Sequence, residues 1–470
     1  MSRNFLRYRL PIVVPALLLT AYGASRAENQ APSVGTDVRL VSSDSLPSTA
    51  SRCVSTSKLF VMAGYSAKNS SNLNGPTGGW ISDLAGDHFT IAGPYYPQGS
   101  DWLDSWMEDE LADAVRYDLC LAYTIAPRRT VADEESPKFH GPVGTAIVSV
   151  PHLNFYGDDE VTDASDEQMD IWIADVEDQI QTAVADPARN ERIALWAIMP
   201  EEMRYWRPKE QQQLQRMHEA VKRYDPLQRP TMMYEPQHAL AQRLEQTLPY
   251  QDIVAVGSYP HVSGNDHRRI HVRHTVTQIL RAIELSGSTA LPAPVLEMFE
   301  DQNHPYDLAD VSSIPRFVRH DAYSAFANGA RGLIVFSMGR RAGFATYSLY
   351  YDAWARVARE LSKLRLRDVF LKGKPLGKAR ARVTSGEKEI RFQWVDGIDE
   401  TYPSTSVRDW SYNGRRYVLA VNSLEGAVRF TLGGLRNGVY RDLFTGRRRL
   451  VTRHSLDLSL PPLGVTILRR

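Results

Sequence analysis

The sequence predicts an α/β fold, a (β/α)8 TIM barrel followed by a smaller antiparallel β-sandwich domain. Eight short apolar runs alternate with amphipathic stretches over about 300 residues, the rhythm of a barrel. The runs are almost continuously apolar, as strands buried on both faces of a parallel sheet are. After about Arg367 the rhythm changes to short β-type runs separated by turn pairs such as Asn413-Gly414. An open doubly wound sheet is the competing architecture. The stretch "MAGYSAKNSSNLNGPTGG" after the first strand lacks GxGxxG and GxxxxGK[ST], so it carries no phosphate-binding fingerprint.

The strands are expected at 58–65, 88–93, 118–125, 192–199, 230–235, 252–259, 293–299 and 331–337. Helices fill the gaps. Ser165 and Gln168 have capping-box spacing, and Ile173, Val176, Ile180 and Val184 then recur on one face. Leu214, Met217, Val221 and Tyr224 form a second stripe that stops before "DPLQRP". Val276, Ile279, Leu280 and Ile283 form a third, and Trp354, Val357, Leu361 and Leu364 the last. Beyond them, "VRDWSY", Asn413-Gly414 and "RRYVLAVN" read as a hairpin, because Asn-Gly fits a type I′ turn.

The N-terminus has a basic start (Arg3, Arg7, Arg9), the apolar "LPIVVPALLLTAYGA", and small residues at Ser25 and Ala27. Residues 1–27 are expected to be a signal peptide, with an uncleaved anchor as the alternative. The protein would then be secreted or periplasmic, with no membrane insertion after signal removal. The expected divisions are a disordered Ser-rich linker at 28–56, the barrel at 57–366 and the β-sandwich at 367–470. Lys plus Arg and Asp plus Glu both number 55, so the formal net charge is zero and gives no case for nucleic acid. Cys53 and Cys120 are the two cysteines, and they are left open between a bridge and two buried thiols. No CxxC, HxH or HExxH motif occurs, so neither a metal nor another cofactor is expected.

Barrel active sites gather at the C-terminal ends of the strands. Those positions hold Tyr95 after the second strand, and Glu201, Glu202, Arg204 and Trp206 after the fourth. Glu235 and His238 follow the fifth, Tyr259 and His261 the sixth, and the seventh carries Glu297 and Glu300. This rim is rich in carboxylates and aromatics. Rings stack on sugar faces, carboxylates and arginines bind hydroxyls, and two carboxyl groups flanking a glycosidic bond can break it. Each residue also has a plain alternative. Glu201 or Glu202 could serve the dipole of the following helix. Glu297, inside an apolar strand, could pair with a barrel Arg, because a lone buried Glu is costly. Glu235 could support its neighbours, Tyr259 could be a core aromatic, and Glu300 could be merely solvated.

The chain resembles the clan A glycoside hydrolases, retaining (β/α)8 enzymes. "LWAIMPEE" is similar to their fourth-strand motif, where the acid/base Glu ends the strand, and "PVLEMFE" is similar to the seventh, which ends at the nucleophile. "DIVAVGSYP" resembles the sixth strand and "AFANGARGLIVFSMG" the last helix and strand. The resemblance implies Glu201 as acid/base, Glu297 as nucleophile with Glu300 as its rival, and Tyr259 as the group orienting it. The chain differs in having Pro200 where many members have Asn, and no Trp in "FSMGR". The implied function is an exported glycoside hydrolase acting on a poly- or oligosaccharide, with Glu202, Arg204, Glu235, His261 and Tyr95 binding sugar. A polysaccharide-binding barrel without catalysis is the alternative, and a metal-dependent hydrolase a third.

Overall fold

The computed structural model describes residues 53, 60–65, 67, 79–94, 100–127, 165–198, 207–261, 269–299, 311–339, 344–394 and 397–470. The side chains of 100–106 are outside that description. The expected signal peptide and the linker, apart from Cys53, lie outside the described residues.

All eight expected strands form, shorter than their apolar runs. They are β1 (Met62–Gly64), β2 (Ile91–Ala92), β3 (Cys120–Ile125), β4 (Ile193–Ile198), β5 (Thr231–Glu235) and β6 (Ile253–Ser258), then β7 (Leu291–Pro292) with β8 (Val295–Glu297), and β9 (Leu333–Phe336). Neighbours pair in parallel, and the β5–β6 and β9–β1 pairings close the ring. β7 and β8 both pair with β6 and make one stave, the seventh. Its ladder is interrupted at "PAP", because proline offers no N–H.

The helices are α1 (Ile81–Gly86), α2 (Ser100–Arg116), α3 (Asp166–Ala185), α4 (Pro187–Asn190), α5 (Pro208–Tyr224), α6 (Ala241–Thr247), α7 (His271–Ser286), α8 (Ile314–Asn328), α9 (Tyr347–Lys363) and α10 (Leu366–Lys372). The Ser165 hydroxyl caps α3 by accepting from the Gln168 amide at 3.1 Å. Ile173, Val176 and Ile180 of the expected stripe are buried. The turn "DPLQRP" ends α5 and ties it to the wall. Asp225 accepts from the Trp196 indole of β4 at 2.9 Å and from Arg229 Nε at 2.7 Å, and both charged side chains are fully buried.

Eleven strands follow: β10 (Lys374–Pro375), β11 (Arg380–Ser385), β12 (Glu389–Trp394), β13 (Ile398–Pro403), β14 (Thr405–Tyr412), β15 (Arg415–Asn422), β16 (Val428–Gly433), β17 (Gly438–Asp442), β18 (Arg448–Val451), β19 (Leu456–Leu460) and β20 (Val465–Arg469). They build a six-stranded sheet β10-β14-β15-β20-β17-β18, a three-stranded sheet β11-β16-β19 and the separate hairpin β12–β13. The expected β14–β15 hairpin turns at Asn413 (φ 48°) and Gly414 (φ 70°), the left-handed values a type I′ turn needs. β15 is buried along both faces. Val418 and Ala420 join the core shared with the three-stranded sheet, while Tyr417, Leu419 and Val421 join the barrel's core. Barrel and sheets are therefore packed as one body, and hairpin β12–β13 lays Phe392 and Trp394 against His271 of α7.

Cys53 and Cys120 form a disulfide, so a segment ahead of the barrel is tethered to the start of β3. The bond closes a loop of 67 residues. The chain entropy it removes from the unfolded state makes a loss of about 2–4 kcal/mol the expected result of Cys120→Ala, read as a fall in the urea midpoint. Equal midpoints for variant and wild type under non-reducing conditions would mean that the bridge does not form.

Candidate active site

The register of the closed sheet decides which side chains enter the barrel. Glu297 is opposite Phe336, and Val295 is opposite both Ile334 and Gly257. Partners in a parallel ladder share a face, and successive residues alternate. Tyr234, Phe336, Tyr259, Phe299 and Tyr65 all lie on the inward face and pack ring against ring. Tyr65 and Phe336 are 5.1 Å apart between centroids, Tyr259 and Phe299 5.0 Å, and Phe299 and Phe336 5.8 Å. This aromatic layer fills the barrel at the C-terminal ends of its strands. Glycine is required at 257, since a Cβ there would stand 2.5 Å from the Tyr234 hydroxyl oxygen.

Glu297 ends the seventh stave on this inward face and is 2% exposed. Both carboxylate oxygens are held. Oε2 accepts from the His261 backbone N–H at 2.8 Å, and Oε1 accepts from the Tyr350 hydroxyl at 2.8 Å. The Trp354 indole, one turn further along α9, donates to the Glu297 carbonyl at 3.1 Å. Arg269 Nη1 stands 3.6 Å from Oε1 but 2.8 Å from Asp321 Oδ2, so its charge goes mainly to Asp321. Asp321 in turn contacts His320 Nδ1 at 2.9 Å. A buried carboxyl group with a directional donor on each oxygen has a fixed aim, which is what an attacking carboxylate needs.

Four other residues expected at the rim are described, and of these His238 is exposed to solvent. His261 meets Glu297 through its backbone amide, and its side chain is buried. Tyr259 belongs to the aromatic layer beside Phe299 and Phe336, and Tyr350 places a phenol on Glu297. Glu235 points the other way. Its neighbour Tyr234 faces inward, so Glu235 projects between the wall and α6, where Oε1 accepts from Thr247 Oγ1 at 2.5 Å and from Gln251 Nε2 at 2.9 Å. That placement makes it a brace between β5 and α6, away from the barrel interior. Glu201, Glu202, Arg204, Tyr95 and Glu300 lie outside the described residues. Among the described residues, no group of three or more His, Cys, Asp or Glu is arranged to hold a metal.

Sequence reasoning missed Tyr350 and Arg269. Tyr350 lies four residues before Trp354 and extends the stripe of α9 by one turn, so helical spacing alone could have placed it on the barrel side. Arg269 had no comparable signal, since only the fold brings it to Glu297.

Burial pushes the Glu235 carboxyl up to about 7, against the pull of its bonds to Thr247 and Gln251. A group raised in the folded state stabilises fully below its unfolded pKa and loses that contribution as pH rises through the folded value. Glu235 should therefore withdraw about 3 kcal/mol between roughly pH 4.5 and 7. Unfolding free energies at pH 5 and pH 8 should differ less in Glu235→Gln, which keeps an acceptor for Thr247 and Gln251. An unchanged pH difference in the variant would contradict this.

No protein-family model and no curated protein matches the chain. Solved structures match its fold. A β-galactosidase from Bacillus circulans sp. alkalophilus aligns with 87% of this chain and 99% of its own at a TM-score of 0.55 and 10% identity. A catalytic mutant of a GH42 β-galactosidase from G. stearothermophilus aligns at 0.53 and 7% identity, over 87% and 98%. An Anoxybacillus α-amylase aligns at 0.52 and 11% identity, over 87% and 96%. At these identities the likeness is one of fold: a closed eight-stave parallel barrel with helices, followed by antiparallel sheets, as in glycoside hydrolases.

Proposed function

We propose that the protein is an exported glycoside hydrolase that cleaves a poly- or oligosaccharide with Glu201 and Glu297. The observation that carries the reading is Glu297 itself: a carboxylate at the end of the seventh stave, on the inward face, with a donor on each oxygen. The shared fold with β-galactosidases and an α-amylase supports the substrate class by analogy.

In this mechanism a Glu297 oxygen attacks the anomeric carbon as Glu201 gives its proton to the departing glycosidic oxygen. The leaving sugar departs as an alcohol. Glu201, now ionised, takes a proton from water, whose oxygen attacks the same carbon and frees Glu297. Two inversions give net retention, and the two carboxyl groups should stand about 5–5.5 Å apart. The Tyr350 hydroxyl and the His261 amide hold the attacking group in register. Arg204 and Glu202, beside the acid, would meet sugar hydroxyls.

The Arg269 contact favours a second reading, a barrel that binds saccharide and does not cut it, because a carboxylate near a buried cation can be purely structural. Incubation with a broad saccharide panel separates the two. Release of reducing ends, abolished in Glu201→Gln, is expected for the hydrolase. Saturable binding with no release from any member of the panel would leave only the binding barrel.

A further inference from the structure

We propose that a cavity on the seam between barrel and six-stranded sheet binds a small polyanion carrying two or more phosphate or sulfate groups. The cavity measures about 630 Å³. That is far more than a single ion fills and is typical of sites for small organic ligands. Lys363 and Arg365, at the turn from α9 to α10, line it together with Arg415, Arg441 and Arg469 from β15, β17 and β20. Asp368 is the one carboxylate of the lining, and it stands 2.8 Å from Lys372 Nζ. Among the described residues none of the five cations forms an ion pair. Other arginines of the chain do have carboxylate partners, as in Arg229–Asp225 and Arg416–Asp409. The formal net charge of the whole chain is zero, whereas this lining carries five cations and one carboxylate.

The strand register sets two of these cations face to face. Arg441 is directly opposite Arg469 across β17–β20, and Arg469 is directly opposite Tyr417 on β15. Opposed residues of an antiparallel ladder project from one face, and like charges so placed repel. An oxyanion between the two guanidinium groups offsets the repulsion and takes paired N–H donors from each. Tyr412 and Leu443 line the space beside the cations, giving a ligand's uncharged body a surface to rest on.

The cavity is remote from Glu297. α9 meets Glu297 at Tyr350 and reaches the cavity at Lys363, about 20 Å away at the rise of an α-helix. The inference therefore does not depend on the proposed hydrolysis.

Titration calorimetry of the full chain tests it with two probes, pyrophosphate and a sulfated disaccharide. Saturable binding of at least one probe is expected, weakened tenfold or more by Arg441→Gln, by Arg469→Gln and by added salt. Binding of pyrophosphate would assign a free phosphate-type ligand, and binding of the disaccharide alone a sugar-borne one. Arg441→Gln should also raise the melting temperature of the ligand-free protein, because it removes the repulsion. No saturable binding of either probe, or binding unchanged in both variants, would overturn the proposal.

Discussion

Glu297→Gln is expected to lower turnover by about 10³-fold or more while the protein stays folded. An amide cannot form the glycosyl ester, so the first step of the double displacement is lost. The cost to the fold is smaller. One carboxylate oxygen accepts from Tyr350 and the other from His261, and an amide keeps an acceptor for only one of them. Setting one donor against another costs about 1–3 kcal/mol, within reach of an ordinary domain's stability of about 5–15 kcal/mol. Arg269 keeps its closer partner, Asp321. Turnover and circular dichroism on the same preparation check the expectation. A folded variant with undiminished turnover would remove Glu297 from the chemistry.

Asp225→Ala is expected to be the most destabilising single change in the barrel wall, at about 3–5 kcal/mol. It strands the fully buried Arg229 guanidinium and the Trp196 indole N–H. Burial pushes the Asp225 carboxyl up, but the hydrogen bonds from Arg229 and Trp196 outweigh it and hold it below the usual range. A group lowered in this way stabilises above its unfolded pKa, near 4, and the contribution is lost as pH falls through the folded value. Urea unfolding at pH 7 measures the loss. Asp225→Leu combined with Arg229→Met should recover much of it, because no unpaired charge remains. A loss under about 1 kcal/mol in Asp225→Ala would contradict this account of the wall.

The barrel was legible because its period is written twice, in the apolar runs and in the helical stripes between them. Boundaries were less so. Apolar runs extend beyond the paired residues because the residues leading into the strands are buried too, as Phe60, Val61 and Phe89 are. The six-stranded sheet showed itself in Asn413-Gly414, but its two-faced burial could not be read, since β15 looks alike whether it covers one core or two. At the site, Glu297 was visible as a charge inside an apolar strand. Its supports were not, because Tyr350 and Arg269 come from elements 53 and 28 residues away in sequence. Glu235 misled for a related reason. It ends its strand as Glu297 does, yet an odd or even place in the pleat sends one carboxylate inward and the other toward α6.

The central claim, a two-carboxylate hydrolase with Glu297 attacking carbon, is tested most directly by proton NMR of the first sugar released. Retention predicts that the anomer formed first has the configuration of the substrate, with product from Glu297→Gln slowed by about 10³-fold or more. An inverted first anomer, or product formed as fast by the variant as by the wild type, would contradict it.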